Sequence, residues 1–119
     1  MNKPLALIVE DDPQLGSIFS LALQLEFDIE LITDGQAALN RLAQVAPALV
    51  VLDVNLPTVS GCDILKHIRA DQHLAKTKVI IATGDSNQCS ALSGEADIAM
   101  LKPVSPFQLR ELASRLRTA

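Results

Sequence analysis

Five polar positions stand where short apolar runs end. Glu10 and Asp11 follow Leu5–Val9, Asp53 follows Leu49–Leu52, Thr83 follows Val79–Ala82, and Lys102 follows Ile98–Leu101. Three carboxylates, a hydroxyl and a lysine suit one kind of chemistry when brought together. At an effective dielectric of about 20, two carboxylates about 5 Å apart repel by roughly 3 kcal/mol, so a proton or a cation must relieve them. A hard divalent ion with oxygen ligands, Mg2+ for preference, does this while keeping several waters. The ion then screens an approaching phosphate, Lys102 supplies a point charge and Thr83 a hydroxyl donor. The set reads as a phosphoryl-transfer centre with an aspartate nucleophile.

What must position these residues is an alternation of strands and helices. Leu5–Val9 is a continuous apolar run, as expected of a strand buried on both faces. Asp12 before Pro13 reads as a helix N-cap with proline at the first helical position. Leu15, Ile18, Phe19, Ala22 and Leu25 then recur as one apolar helix face. Ile29–Thr33 forms a second strand, and Asp34-Gly35 opens a helix with Ala38, Leu39, Leu42 and Ala43 inward. Leu49–Leu52 is the most apolar strand and therefore central. Beyond the loop Val54–Gly61 lies a helix carrying Ile64, Leu65 and Ile68. Val79–Ala82 and Ile98–Leu101 are the fourth and fifth strands. Ser105 and Pro106 cap a last helix whose inner face is Leu109, Leu112 and Leu116. Such units imply a parallel sheet with helices on both faces, and ligands at the C-terminal strand ends. Asp85–Asp97, rich in Ser, Gly, Asn and Asp, resists the pattern; a helix there is short or missing.

Composition narrows the alternatives. Of 119 residues 49% are apolar and 20% charged, which excludes disorder and fits a single domain, 1–119. Lys plus Arg is 10 against 14 Asp plus Glu, a net charge of −4 that disfavours nucleic acid or anionic membrane as a direct partner. With Trp and Tyr absent, platforms for stacking bases are lacking. No apolar run is long enough for a membrane span, and the start, with Lys3 and Pro4, lacks a signal peptide's apolar region. Cys62 and Cys89 have no Cys or His at ligand spacing, so they make no zinc site. They could pair, but nothing points to an oxidising compartment; they read as small buried or half-buried residues of a cytoplasmic protein. His67 and His73 have no ligand partners in the pattern.

The motifs Leu7-Ile8-Val9-Glu10-Asp11-Asp12, Val51-Leu52-Asp53-Val54-Asn55-Leu56-Pro57, Gly61, Ile81-Ala82-Thr83-Gly84 and Leu101-Lys102-Pro103 occur in this order. In them the chain resembles a response-regulator receiver domain of two-component signalling, CheY-like, from Leu5 to about Leu116. The resemblance implies an α/β, flavodoxin-like, doubly wound five-stranded parallel sheet of order 2-1-3-4-5. It also implies that Asp53 accepts a phosphoryl group from a histidine kinase or phosphotransfer protein. Asp11, Asp53 and the Asn55 backbone carbonyl would bind Mg2+, with Glu10 acting through metal-bound water. Thr83 and Lys102 would contact the phosphoryl oxygens, and Lys102-Pro103 would be cis. Gly61 would close the phosphoacceptor loop. Asp85, two residues past Thr83, would influence the water that attacks the acyl phosphate. Such a protein is a signalling domain and not an enzyme, switching a downstream protein or output domain.

Two features depart from that family. Ala99 stands three positions before Lys102, where an aromatic switch residue is usual, and the interval from Thr83 to Lys102 is shorter than usual. A methyl group does not report the movement of Thr83, so output is expected through another surface, the first helix or the loop Val54–Gly61. Ala99 also favours a competing function, a phosphorylation-independent interaction module; the complete Glu10, Asp11, Asp53, Thr83 and Lys102 set disfavours it. A small phosphatase of the haloacid-dehalogenase type resembles Asp-x-Asp after a strand, but here the second position is Asn55.

Overall fold

Continuous apolar runs fold as strands covered on both sides, and the centre of this molecule is built from them. The computed structural model describes residues 3–84 and 95–118. Five parallel strands, β1 (Leu5–Val9), β2 (Asp28–Ile32), β3 (Leu49–Asp53), β4 (Lys78–Thr83) and β5 (Ile98–Leu101), lie in the order β2-β1-β3-β4-β5. Among the described residues the helices are α1 (Pro13–Leu23), α2 (Gly35–Leu42), α3 (Gly61–Ala70) and α4 (Pro106–Thr118), with a 3-10 turn at Gln72–Leu74. This is the doubly wound order expected. The weak helix expected between β4 and β5 falls largely on 85–94, outside the described residues.

Alternation along the strands divides the core into two halves. Leu7, Val9, Val50, Leu52, Val79 and Ile81 pack with α2 and α3 through Leu42, Ile64, Leu65 and Ile68. Ala6, Ile8, Leu49, Val51 and Ile80 pack on the opposite face with Phe19 and Leu23 of α1 and Leu109 and Ala113 of α4. Every residue of β3 is buried, as its central place requires. Helix starts are set by their caps: the Asp12 carboxylate accepts from the Gln14 and Leu15 N–H groups, and that of Asp34 from Ala37 N–H.

The phase of α1 differs from the expected one. Its buried residues are Gly16, Phe19 and Leu23, while Leu15, Ile18 and Leu25 are exposed. The segment carries apolar side chains nearly all round, so spacing selects no single face. Gly16 lies on the buried face, where a Cβ would come within 2.7 Å of Leu31 Cδ1, so the helix sits close on β2 at this point. Ala43, expected inward on α2, is exposed. Cys62, half-buried near the start of α3, is disulfide-bonded, which corrects its reading as a free thiol. The chain's other cysteine, Cys89, lies outside the described residues. Spacing in the sequence carries no information on the Cα proximity that such a bond needs.

One side chain ties the return into β5 to the rest of the fold. Arg69, at the end of α3, donates from Nε to Glu95 O (2.6 Å), from Nη1 to Thr77 O (2.9 Å) and from Nη2 to Asp97 Oδ2 (2.7 Å). Asp97 Oδ2 also accepts from Val79 N–H at 2.7 Å, which joins β4 to the approach of β5. Charge-assisted bonds are the strong kind, and this group is only a quarter exposed. Replacing Arg69 by Ala is expected to cost about 2 kcal/mol in urea unfolding, allowing for that exposure. A loss no larger than that of a surface lysine variant would mean the cluster does not anchor β5.

Candidate functional site

The β1, β3, β4 and β5 ends meet at one edge, because the strands are parallel and in close register. Val9 lies beside Leu52, Asp53 beside Ala82, and Thr83 beside Leu101. Glu10, Asp11 and Asp53 thereby arrive at one place, with carboxylate oxygens all within 4.8 Å of one another. Glu10 and Asp53 are 3% and 4% exposed, whereas Asp11 faces solvent. Asp12, on the same turn, is spent on capping α1.

Lys102 reaches this group from the end of β5, its Nζ 2.6 Å from Asp53 Oδ1. The same oxygen accepts from Asn55 N–H at 3.1 Å, which holds the Asn55 backbone over the carboxylate. Thr83 ends β4 at this edge, 1% exposed, and its carbonyl accepts from Lys102 N–H at 2.8 Å. The Lys102-Pro103 peptide bond is cis, as the resemblance implied. Asp85 lies outside the described residues.

The loop after Asp53 is held by close backbone approach. Gly61 N–H donates to Val54 O at 2.9 Å, and a Cβ on Gly61 would lie 2.1 Å from Asp53 O, so only glycine fits. The other side of the loop rests on the start of α2. Thr58 adopts a φ of 67°, a region costly for a β-branched residue, and its hydroxyl donates to Asp34 Oδ1 (2.8 Å) while accepting from Gln36 N–H (3.0 Å). Gly35 completes the seam, since a Cβ there would meet Val59 O at 2.1 Å. The clasp of Thr58 on Asp34 was not anticipated from the sequence. A Thr after Pro57 carries no signal that a carboxylate 24 residues away will receive it.

The electrostatics carry the signature of crowded carboxylates. The pKa of Glu10 is pushed up to about 7, mainly by burial and further by Asp53 and Asp11, while the Asp12 N–H bond opposes the shift. Three hard oxygen donors at this spacing fit a divalent cation such as Mg2+. Because the folded pKa of Glu10 is raised, the metal-free fold binds more protons than the unfolded chain between about 4.5 and about 7. Its stability is therefore expected to fall as pH rises through that window. Chemical denaturation in chelator at successive pH values checks this, with Glu10→Gln expected to flatten the slope. An unchanged slope in the variant would mean that Glu10 does not carry it.

Comparison with known proteins agrees with the geometry. The family model described as response regulator receiver domain matches residues 6–114. The transcriptional regulatory protein TrcR of Mycobacterium tuberculosis is 36% identical over 113 residues, 93% of this chain and 43% of that protein. The response regulator protein PmrA of Pseudomonas aeruginosa is 38% identical over 113 residues, 93% of this chain and 50% of that protein. The chain thus spans about half the length of the curated relatives it matches. Among solved structures, the BeF3-activated DrrB receiver domain aligns with a TM-score of 0.86 and 30% identity, covering 98% of this chain and 99% of that one. The signal receiver domain of a LuxO repressor protein from Vibrio parahaemolyticus aligns with a TM-score of 0.87 and 28% identity, covering 98% and 91%. With its fold, its acidic cluster and its motifs in agreement, the chain belongs to the response regulator receiver domain family, the CheY-like receivers of two-component signalling.

Proposed function

We propose that Asp53 is the phosphoacceptor of a two-component phosphorelay and that its donor is a phosphohistidine of a histidine kinase or phosphotransfer protein. The observation that carries this reading is the meeting of Glu10, Asp11 and Asp53, with Lys102 2.6 Å from Asp53. An Asp53 carboxylate oxygen forms the new bond to phosphorus as the phosphorus–nitrogen bond of the donor breaks. The imidazole nitrogen keeps the electron pair and takes a proton from solvent, leaving an acyl phosphate on Asp53. Lys102 offsets the charge that builds on the phosphoryl oxygens, and the Thr83 hydroxyl donates to them. Mg2+ held by Asp11, Asp53 and the Asn55 carbonyl, with Glu10 behind them, supplies the remaining charge neutralisation when bound.

A phosphoryl group adds about −1.5 to −2 charge to a buried edge, enough to shift the population of a two-state loop and so alter partner binding. Support for a protein partner comes from the apolar surface beside Lys102. Leu15 of α1 is exposed and lines a cavity there with Phe19, Pro103 and Val104. Ala99 lies exposed on β5 beside Ile81, so an aromatic switch does not act there. Output through α1 or the loop Val54–Gly61 is part of the proposal, as is a single receiver domain over 1–119. Longer relatives are transcriptional regulators by name; here, with a net charge of −4, output runs to another protein or domain. A cytoplasmic location belongs to the same reading, and no helix among the described residues is long and apolar enough to cross a membrane. In a reducing cytoplasm the bond at Cys62 is expected to be open.

Intact mass after incubation with Mg2+ and acetyl phosphate tests the proposal. The expected result is gain of one phosphoryl group, absent in Asp53→Ala. Gain in both proteins would place the acceptor elsewhere. No gain in either would favour a phosphorylation-independent interaction module, the reading that Ala99 supports.

A further inference from the structure

At the N-terminal edge of the sheet, about 13 Å along β3 from Asp53, a cavity of about 490 Å3 opens between the strand starts and the end of α4. Leu5, Phe27, Leu49 and Leu116 supply apolar lining, and His73, Lys76, Lys78 and Arg117 line it as well. Among the described residues no carboxylate lines it. In a chain with 10 Lys plus Arg, 2 His and a net charge of −4, this reverses the sign of the field locally.

The cations are unequally committed. Arg117 sits 5.9 Å over the Phe27 ring and 3.6 Å from Glu26, so it is partly neutralised. Lys76 is exposed and Lys78 half-buried, and neither has an ion-pair partner among the described residues. The one buried hydroxyl on the wall, Thr77 Oγ1, already donates to Pro47 O at 2.7 Å. Recognition here therefore rests on apolar contact together with positive charge. The volume lies in the range of small-molecule sites, roughly 300–1,000 Å3.

We propose that this cavity binds an amphipathic anion: an organic carboxylate whose apolar chain enters between Leu5, Leu49 and Leu116 while its head meets Lys76 and Lys78. The site is separate from the phosphoacceptor edge and needs no phosphorylation. Octanoate is the probe, titrated into the 15N-labelled chain and followed by amide shifts. Saturating shifts at Leu5, Leu49, Lys78 and Leu116 are expected, with acetate and octanol each binding much more weakly. The double variant Lys76→Glu/Lys78→Glu should bind about tenfold or more weakly, as expected for losing charge-assisted contacts. Should that variant fail to fold, Lys76→Glu alone, at an exposed position, gives the same comparison. Shifts that do not saturate, an equal response to octanol, or octanoate binding unchanged in the charge-reversed variants would overturn the proposal.

Discussion

Carboxylate repulsion at the end of β1 and β3 is the constraint on which the rest of the site depends. Three acidic groups within 4.8 Å, two of them nearly excluded from water, do not all stay charged without compensation. The protein meets this in two ways. Lys102 pairs with Asp53, and the raised pKa of Glu10 lets that group take a proton near neutrality. In the proposed function both compensations are exchanged for a cation and a phosphoryl group, so that the resting arrangement is also the reactive one.

Such an arrangement needs a rigid platform, because small displacements change the repulsion steeply. The fully buried β3 supplies it, locked between β1 and β4 and covered by helices on both faces. The loop that leaves Asp53 is fastened on both sides. Gly61 lets α3 start against the Asp53 carbonyl, and Thr58 fastens the far side of the loop to Asp34. The Thr58 conformation costs roughly 1–3 kcal/mol, and its two hydrogen bonds to the start of α2 offset that. In the proposed function a change at Asp53 is transmitted along this loop to α2. It does not pass through position 99, where a methyl group replaces the usual ring.

Much of this was legible in the residues themselves. Strand positions follow from unbroken apolar runs such as Leu5–Val9 and Leu49–Leu52, and helix starts from Asp12-Pro13 and Asp34-Gly35. The acidic cluster followed from placing strand ends on one edge. The phase of α1 was not legible, because its apolar residues surround the helix and the choice among its faces is a tertiary event. Nor were Arg69 and Cys62: an arginine at a helix end and a lone cysteine look the same whether solvated or committed. Local patterns carry information on period and caps, whereas partners far along the chain appear only once the fold exists.

The most direct test of the central claim, that these carboxylates form a cation site, is calorimetric titration of Mg2+ into the wild-type chain, Asp11→Asn and Asp12→Asn. The account predicts one site in the wild type, binding weaker by about tenfold or more in Asp11→Asn, and no change in Asp12→Asn, whose side chain caps α1. Equal binding in all three proteins, or none in the wild type, would contradict it.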